Sequence, residues 1–479
     1  MKNPRALLGD DSSLLLRILW QNQCMTRRRV NRYLLAMAGL GCGRRLLAQN
    51  RPDSFKVYSE SPRLLMRPAR LKLLRRERER RSLRWDQFET LWTAGAQFPE
   101  LGWAQALRYR IADDRDSGIR AVAWAVGPGD DIRQIALIAD WCAPLISKED
   151  LGLIFAKLRR EVTNARPVKT LTEARNKLFA AVILSEAEPA ASEKAIQGIF
   201  DAFWMGSLIP ALRGARDNVP NADAYALFEI MHVVRDNLNF DLRETFPKWF
   251  EQYPILHLMA HYPAPWPDAD NEFRIPADET IETRGPDVRK AALSRAAELA
   301  MVAYDANTAS SQLLQGWLTN DRFLMRGTFG MPYELLWANP YQPGLSYQHV
   351  PLALHDEIGG QLYVRSSWDD DASWIGFFKG QLQLFQNGSV TRIDPQLSRD
   401  PLDIEAAVVF FARNTKRFQI ASGAETSNVF MVGLERGKAY HVEIDGEEMV
   451  EETADPGGII FLAGVPAAAG VRLGPAPVT

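Results

Sequence analysis

Chemistry-bearing residues are scarce in this chain. Its 479 residues include three cysteines, Cys24, Cys42 and Cys142, and six histidines, His232, His257, His261, His349, His355 and His441. Three cysteines exclude a disulfide framework and a four-cysteine zinc cluster. There is no GxSxG nucleophile elbow and no phosphate-binding P-loop. The pair His257 and His261 lacks the glutamate of HExxH, which is replaced by Leu258, so a metalloprotease of that kind is excluded. "GPGDD" at Gly127 follows no strand and cradles no phosphate. "DGEEMVEE" lacks the ligand spacing of a calcium hand. No apolar run reaches the ~18 residues of a membrane span. A net charge of −2 argues against a general nucleic-acid binder.

That near-neutrality conceals an asymmetry. The first 85 residues carry a net charge of about +15, and the remainder about −17. The excess lies in "MTRRRVNRYL" and "RPARLKLLRRERERRSLRW"; the latter interleaves Glu77 and Glu79 as a solvated helix does. "TRRRVNRYLLAMAGLGCGRRLLAQN" orders arginines, a short apolar stretch and a small residue at Ala48, and resembles a twin-arginine export signal starting at Met25. Residues 1–50 are therefore expected to form a basic leader, and the mature protein to be exported, periplasmic or extracellular. Cys24 and Cys42 would leave with the leader.

Two periodicities divide the rest. Residues 55–335 read as helices. "IRQIALIADWCAPL" spaces Ile132, Ile135, Ile138 or Ala139, and Cys142 along one stripe, and Ser147 with Asp150 resembles a capping box. "TEARNKLFAAVILSEA", "SEKAIQGIFDAFWMGSLIPAL", "NADAYALFEIMHVVRDNLNF" and "DVRKAALSRAAELAMVAYDA" continue a rhythm of consecutive helix pairs, which pack as a helical array or closed ring. Residues 345–479 alternate with period two between the turn signals "QNGS", "ERGK", "IDGEE" and "DPGG", and read as an antiparallel β-sandwich.

Two stretches carry a family resemblance. "SPRLLMRPARLKLLRR" resembles the "PRLLF-x-P-E-R-L" opening of heparinase II/III-like proteins. "GGQLYVRSSWDDDASWIGFF" is similar to their first sandwich strands. The resemblance implies an α+β multidomain chain: an N-terminal (α/α) toroid followed by a C-terminal antiparallel β-sandwich. It also implies β-elimination on an acidic, uronate-containing polysaccharide or oligosaccharide. Such lyases use a tyrosine or histidine base and a group that neutralises the uronate carboxylate. The chain departs from the family pattern in two places. No histidine follows Phe378 in "KGQLQLFQNGSVTRIDPQ", and the toroid lacks the family's Asn-His pair. Those departures remove the usual metal-supporting ligands, so no metal and no cofactor is expected.

The candidate site residues cluster between Tyr225 and Arg274. Leu227, Ile230, Met231, Val234 and Leu238 form one apolar stripe of a helix. Tyr225, Glu229, His232 and Asp236 share its other face, which is either an ordinary solvent face or the lining of a proton-transfer cleft. His257 and His261 are four apart and would share a helix face. Tyr253, His261, Tyr262 and Trp266 are expected in a proline-rich loop, anchoring it or stacking on sugar rings. Asn237 and Asn239 are helix caps or carboxylate-binding amides. Arg235 and Arg274 are carboxylate forks or members of structural ion pairs. In the lyase reading Tyr225, His232, Tyr253 and His261 carry acid/base roles. Glu229, Arg235, Asn237, His257, Tyr262, Trp266 and Arg274 contact substrate. A non-catalytic glycan-binding relative is the alternative. A third reading is a glycoside hydrolase on an (α/α) barrel using two carboxylates such as Glu229 and Asp236, whose rise of about 10 Å along a helix is loose even for an inverting pair. The three aspartates Asp369, Asp370 and Asp371 read as a turn between two strands.

Overall fold

Helix starts in this protein follow local side-chain chemistry. The structure is a computed structural model and describes residues 57, 61–213, 219, 221–266, 277, 288–321, 325–339, 341–397, 400–411, 418–419, 426–446 and 448–475. The expected leader, residues 1–50, and Arg274 lie outside them. Helix α1 (Pro68–Glu79) opens on a proline, whose missing N–H costs nothing at that position. α2 (Leu83–Thr93) is capped by Ser82. α3 (Leu101–Ala112) and α4 (Arg115–Val126) follow, and then α5 (Ile132–Trp141), capped by Asp131. At α6 (Lys148–Thr163) the Ser147 hydroxyl accepts from Asp150 N–H and donates to the Asp150 carboxylate. A complete capping box of Thr170 and Glu173 starts α7 (Leu171–Leu184).

The next stretch is the most apolar. α8 (Pro189–Gly198) continues as a π-helix over Ile199–Leu208 and ends in α9 (Ile209–Arg213). Among the described residues this run alone is long and apolar enough to cross a membrane, by length and composition only. It packs Ile196, Ile199, Phe203, Trp204, Ile209 and Leu212 into the helical core. α10 (Asn221–Leu238) ends at Asn239, whose left-handed backbone is that of a C-terminal cap. α11 (Pro247–Met259) keeps Pro254 in its interior. An interior proline costs ~3 kcal/mol. Burial of Trp249, Phe250, Tyr253, Leu256, Leu258 and Met259 opposes that cost. Tyr253 therefore stands on a helix and not in the expected loop. α12 (Val288–Tyr304), α13 (Ala309–Asp321) and α14 (Met331–Trp337) complete the helices.

Helices two or three apart in the chain are neighbours. α3 packs on α5, α5 on α7, α7 on α10, α10 on α12, α12 on α14, and α14 returns to α2. α10 is thus central and not amphipathic in use. Its apolar stripe is buried, and so are Tyr225, Glu229 and His232 on the opposite face.

The change to strands falls between Trp337 and Ala353. Strands β1 (Ala353–Asp356), β2 (Gln361–Arg365), β3 (Trp374–Phe378), β4 (Gln381–Gln386) and β5 (Ser389–Ile393) form an antiparallel meander in chain order. Asn387 and Gly388, both with positive φ, turn β4 into β5 with Gln386 opposite Ser389. β6 (Leu402–Ile404), β7 (Ala407–Phe411), β9 (Thr426–Val432) and β12 (Ile460–Pro466) form a second sheet in the order β12-β9-β7-β6, in which β7 and β9 run parallel. β8 (Phe418–Gln419), β10 (Ala439–Ile444), β11 (Glu448–Thr453) and β13 (Gly470–Pro475) form a third.

Alternation along the strands shows how the sheets stack. Leu362, Val364, Ile375 and Phe377 of the meander share a core with Val409, Phe411, Phe430 and Val432 of the second sheet. The other face of that sheet, Val408, Phe410, Val429 and Met431, shares a core with Val442 and Leu473 of the third. The remaining face of the meander, Tyr363, Trp374, Phe378 and Phe385, belongs to the helical core. Residues 55–479 accordingly form one compact unit.

Candidate functional site

The face of α10 that carries Tyr225, Glu229 and His232 looks into a closed network. Glu229 has no exposure. Its carboxylate accepts from Arg133 of α5 and at 3.0 Å from Arg175 of α7. The Arg133 guanidinium also lies over the rings of Trp103, Tyr225 and Tyr333. The Tyr225 hydroxyl accepts from Trp337 Nε1 at 2.9 Å and from Arg133 at 3.3 Å. Burial, and then the Glu229 charge, push its pKa far above the usual phenol range. At His232, Nε2 donates to the Ala300 carbonyl at 3.0 Å, because a carbonyl can only accept. Its Nδ1 accepts from Arg235 at 3.2 Å. Burial, reinforced by Arg235, holds His232 well below the usual histidine range, so it is a neutral ring with both nitrogens engaged.

Its neighbours on the helix are equally occupied. Arg235 donates to Asp236, to the Tyr304 carbonyl and to His232. Asn237 donates its amide to the carbonyls of Arg63 and Val233, and its own buried Oδ1 has no hydrogen-bond partner among the described residues. Asn239 is exposed in its cap position.

His257 near the end of α11 and His261, two residues beyond that end and so not on the helix face expected for the pair, form a second, separate cluster. His257 and His261 both point at Glu298 of α12: each Nε2 lies 3.1 Å from Glu298 Oε1. Arg295 lies 3.4 Å from the other carboxylate oxygen. Burial works to raise the Glu298 carboxyl, but Arg295 and the two histidines outweigh it and hold it well below the usual range. Tyr253 is stacked between Phe228 and Trp249, and burial alone raises its hydroxyl. The segment after α11 is pinned by the strands. Trp374 Nε1 donates to the Met259 carbonyl at 2.8 Å, Arg365 donates to the His261 carbonyl at 3.3 Å, and the Tyr262 hydroxyl donates to Gln383. Trp266 meets the edge of Tyr262. Much of "LYVRSSWDDDASWIGFF" is thus an anchor for the chain around His261. Its aspartates lie in an exposed turn in which the Ser367 hydroxyl takes Asp369 N–H at 3.0 Å.

A third place is open. A cleft of about 940 Å³ runs between the middle of α10, the turn that follows α10, α11, the end of α12, the start of α13 and β1. Its walls include Phe250, Asp241, Arg243, Lys248, Glu251 and Tyr304. The Tyr304 hydroxyl donates to Asp241 at 3.0 Å. The guanidiniums of Arg235 and Arg243 lie 4.1 and 5.0 Å from its ring centre, and His232 meets it edge-on. Arg243 is held by Asp241 and by Asp305. Burial, with Asp241, raises the Tyr304 hydroxyl well above the usual range against the pull of both arginines. Burial raises Asp241 too, but its bonds from Arg243 win and leave it low.

Two expected residues, His232 and Arg235, therefore stand behind this cleft without lining it. Tyr225 and Glu229 belong to the closed network, while Tyr253, His257 and His261 belong to the second cluster. Tyr304, Asp241, Arg243 and Glu298 are absent from the sequence reading. Glu298 left a signal as the single charge in "AAELAMVAY". Tyr304 left none, since its partners at Asp241 and Arg235 lie more than sixty residues away. No family model and no curated protein matches this chain.

Proposed function

We propose that the protein is an exported carbohydrate-active protein of the heparinase II/III-like type, which holds an acidic polysaccharide or oligosaccharide and cleaves it by β-elimination. The cyclic succession of helix contacts, from α2 through α1, α3, α5, α7, α10 and α12 to α14 and back, supports an (α/α) toroid. The stacked sheets support the sandwich that follows it.

The observation that carries the reading is Tyr304 in the open cleft, with two arginines over its ring and a carboxylate on its hydroxyl. In the elimination a base takes the proton beside the uronate carboxylate. Its electron pair becomes a C–C double bond, and the 4-oxygen departs with a proton. A protonated tyrosine is suited to deliver that last proton, and Arg235 and Arg243 oppose the charge left on its oxygen. Lys248, exposed on the cleft wall, is the cation placed to meet a substrate carboxylate. The acid/base roles thus move from Tyr225, His232, Tyr253 and His261 to Tyr304, with His232 and Arg235 supporting it from behind.

Glycan binding without cleavage is the second reading. The occupation of Arg243 by two carboxylates favours it, because that guanidinium has little left to offer a uronate. Incubation with a panel of uronate-containing polysaccharides separates the two. Absorbance from an unsaturated product supports the lyase. Binding without that absorbance, and without new reducing ends, supports the second reading. New reducing ends alone would point to a hydrolase and contradict both.

A further inference from the structure

We propose that His257, His261 and Glu298 form a binding site for a divalent transition-metal ion of the zinc class, which ties the end of α11 to α12. His261 Nδ1 lies 2.9 Å from the His257 carbonyl oxygen, and a carbonyl only accepts, so Nδ1 carries hydrogen. In the neutral ring Nε2 is then a bare lone pair. This nitrogen is buried, 3.1 Å from Glu298 Oε1, and yet it makes no hydrogen bond. Two acceptor atoms at that distance repel each other unless something positive lies between them.

The remaining geometry favours a metal. His257 Nε2 lies 3.1 Å from the same oxygen, and the three ligand atoms all fall within 4.8 Å of one another. Zinc bonds of about 2.0–2.1 Å in a tetrahedron place ligand atoms roughly 3.3 Å apart, close to the two Nε2–Oε1 separations of 3.1 Å. Two imidazoles and one carboxylate select a borderline-soft ion over magnesium or calcium, which prefer oxygen alone. The supports of a metal site are present as well. The His261 Nδ1–H bond to a carbonyl fixes the ring and its tautomer, the Arg295 guanidinium lies 3.4 Å from the second Glu298 oxygen, and Trp317 packs on His261 at 4.8 Å. All three ligands are at most 4% exposed, and Arg365 and Trp374 anchor the backbone between Met259 and His261. Three protein ligands leave one coordination position open.

The site does not depend on the proposed activity, and its test does not use it. Full-length protein stripped with a chelator is titrated with cobalt(II). One equivalent is expected to bind with the intense visible d–d absorption of a tetrahedral site, and zinc is expected to bleach it. Glu298→Gln keeps the side-chain shape and is expected to weaken cobalt binding at least about 100-fold; His261→Asn is expected to do the same. Wild-type protein that shows no stoichiometric d–d band overturns the proposal, and His261 is then an imidazolium paired with Glu298. Folded Glu298→Gln protein that binds cobalt as tightly as wild type overturns it too. The wild-type titration decides the question even if both variants fail to fold.

Discussion

Glu229 shows what a buried charge does here. It is fully buried between Arg133 and Arg175. Removing its charge leaves Arg133 with Glu100 at 3.6 Å as its remaining carboxylate and Arg175 with Asn176, a loss of ~3–5 kcal/mol for a buried pair. Glu229→Gln is therefore expected to lower the melting temperature sharply while leaving the cleft chemistry to Tyr304. A small shift in a thermal melt would contradict this. His232 makes a pH prediction. Its folded-state pKa lies below the unfolded value of 6.5, so the unfolded chain takes up a proton that the folded chain refuses. Its stabilising contribution is complete above pH ~6.5 and is lost as pH falls below that value. In His232→Gln the fall of melting temperature between pH 7 and pH 5 is expected to be shallower than in wild type. An unchanged slope would show that His232 is not held neutral.

At the scale of elements, the connection from helices to strands depends on one glycine. A Cβ on Gly316 of α13 would stand 1.7 Å from the Leu345 carbonyl oxygen, where Leu345 N–H is bonded to Gln312. The obstacle is backbone, so it cannot swing aside. Gly316→Ala is expected to destabilise by ~1–3 kcal/mol, read as a lower denaturation midpoint at constant slope. Elements were legible in the sequence where the cause is local. Ser147 caps its helix through a neighbour three residues on, and Asn387-Gly388 supplies its own positive φ. Tyr253 was misplaced because Pro254 breaks helices in isolation, and only the apolar packing of α11 overrules it. The face of α10 looked amphipathic because its polar residues are satisfied by Arg133, Arg175 and Ala300, all far away in the chain. The same distance hid the cleft: Asp241 and Tyr304 meet across 63 residues.

At the scale of the molecule, the meander sheet belongs to two cores at once. Leu362 and Phe377 face the second sheet, and Trp374 and Phe385 face the helices. Unfolding the helical part therefore exposes Trp374 and its hydrogen bond to Met259. One calorimetric transition is expected for residues 55–479; two well-separated transitions would show that helices and strands are held together weakly. The same coupling gives the family-like motif a purpose, since Arg365 and Trp374 hold the segment that carries His261. Trp374→Phe is expected to cost ~1–3 kcal/mol through the carbonyl left unpaired at Met259, and to loosen metal binding with it.

In the proposed reaction Tyr304 in the open cleft, and not Tyr253 in its aromatic stack, performs proton transfer on an acidic glycan. The most direct measurement is the rate of unsaturated-product formation by Tyr304→Phe and Tyr253→Phe on the same uronate polysaccharide, with melts to confirm that both fold. Loss of a general acid or base costs ~10²–10⁴-fold, so Tyr304→Phe is expected to fall by that factor while Tyr253→Phe stays near wild type. Full activity in folded Tyr304→Phe, or its loss in Tyr253→Phe alone, would contradict the account.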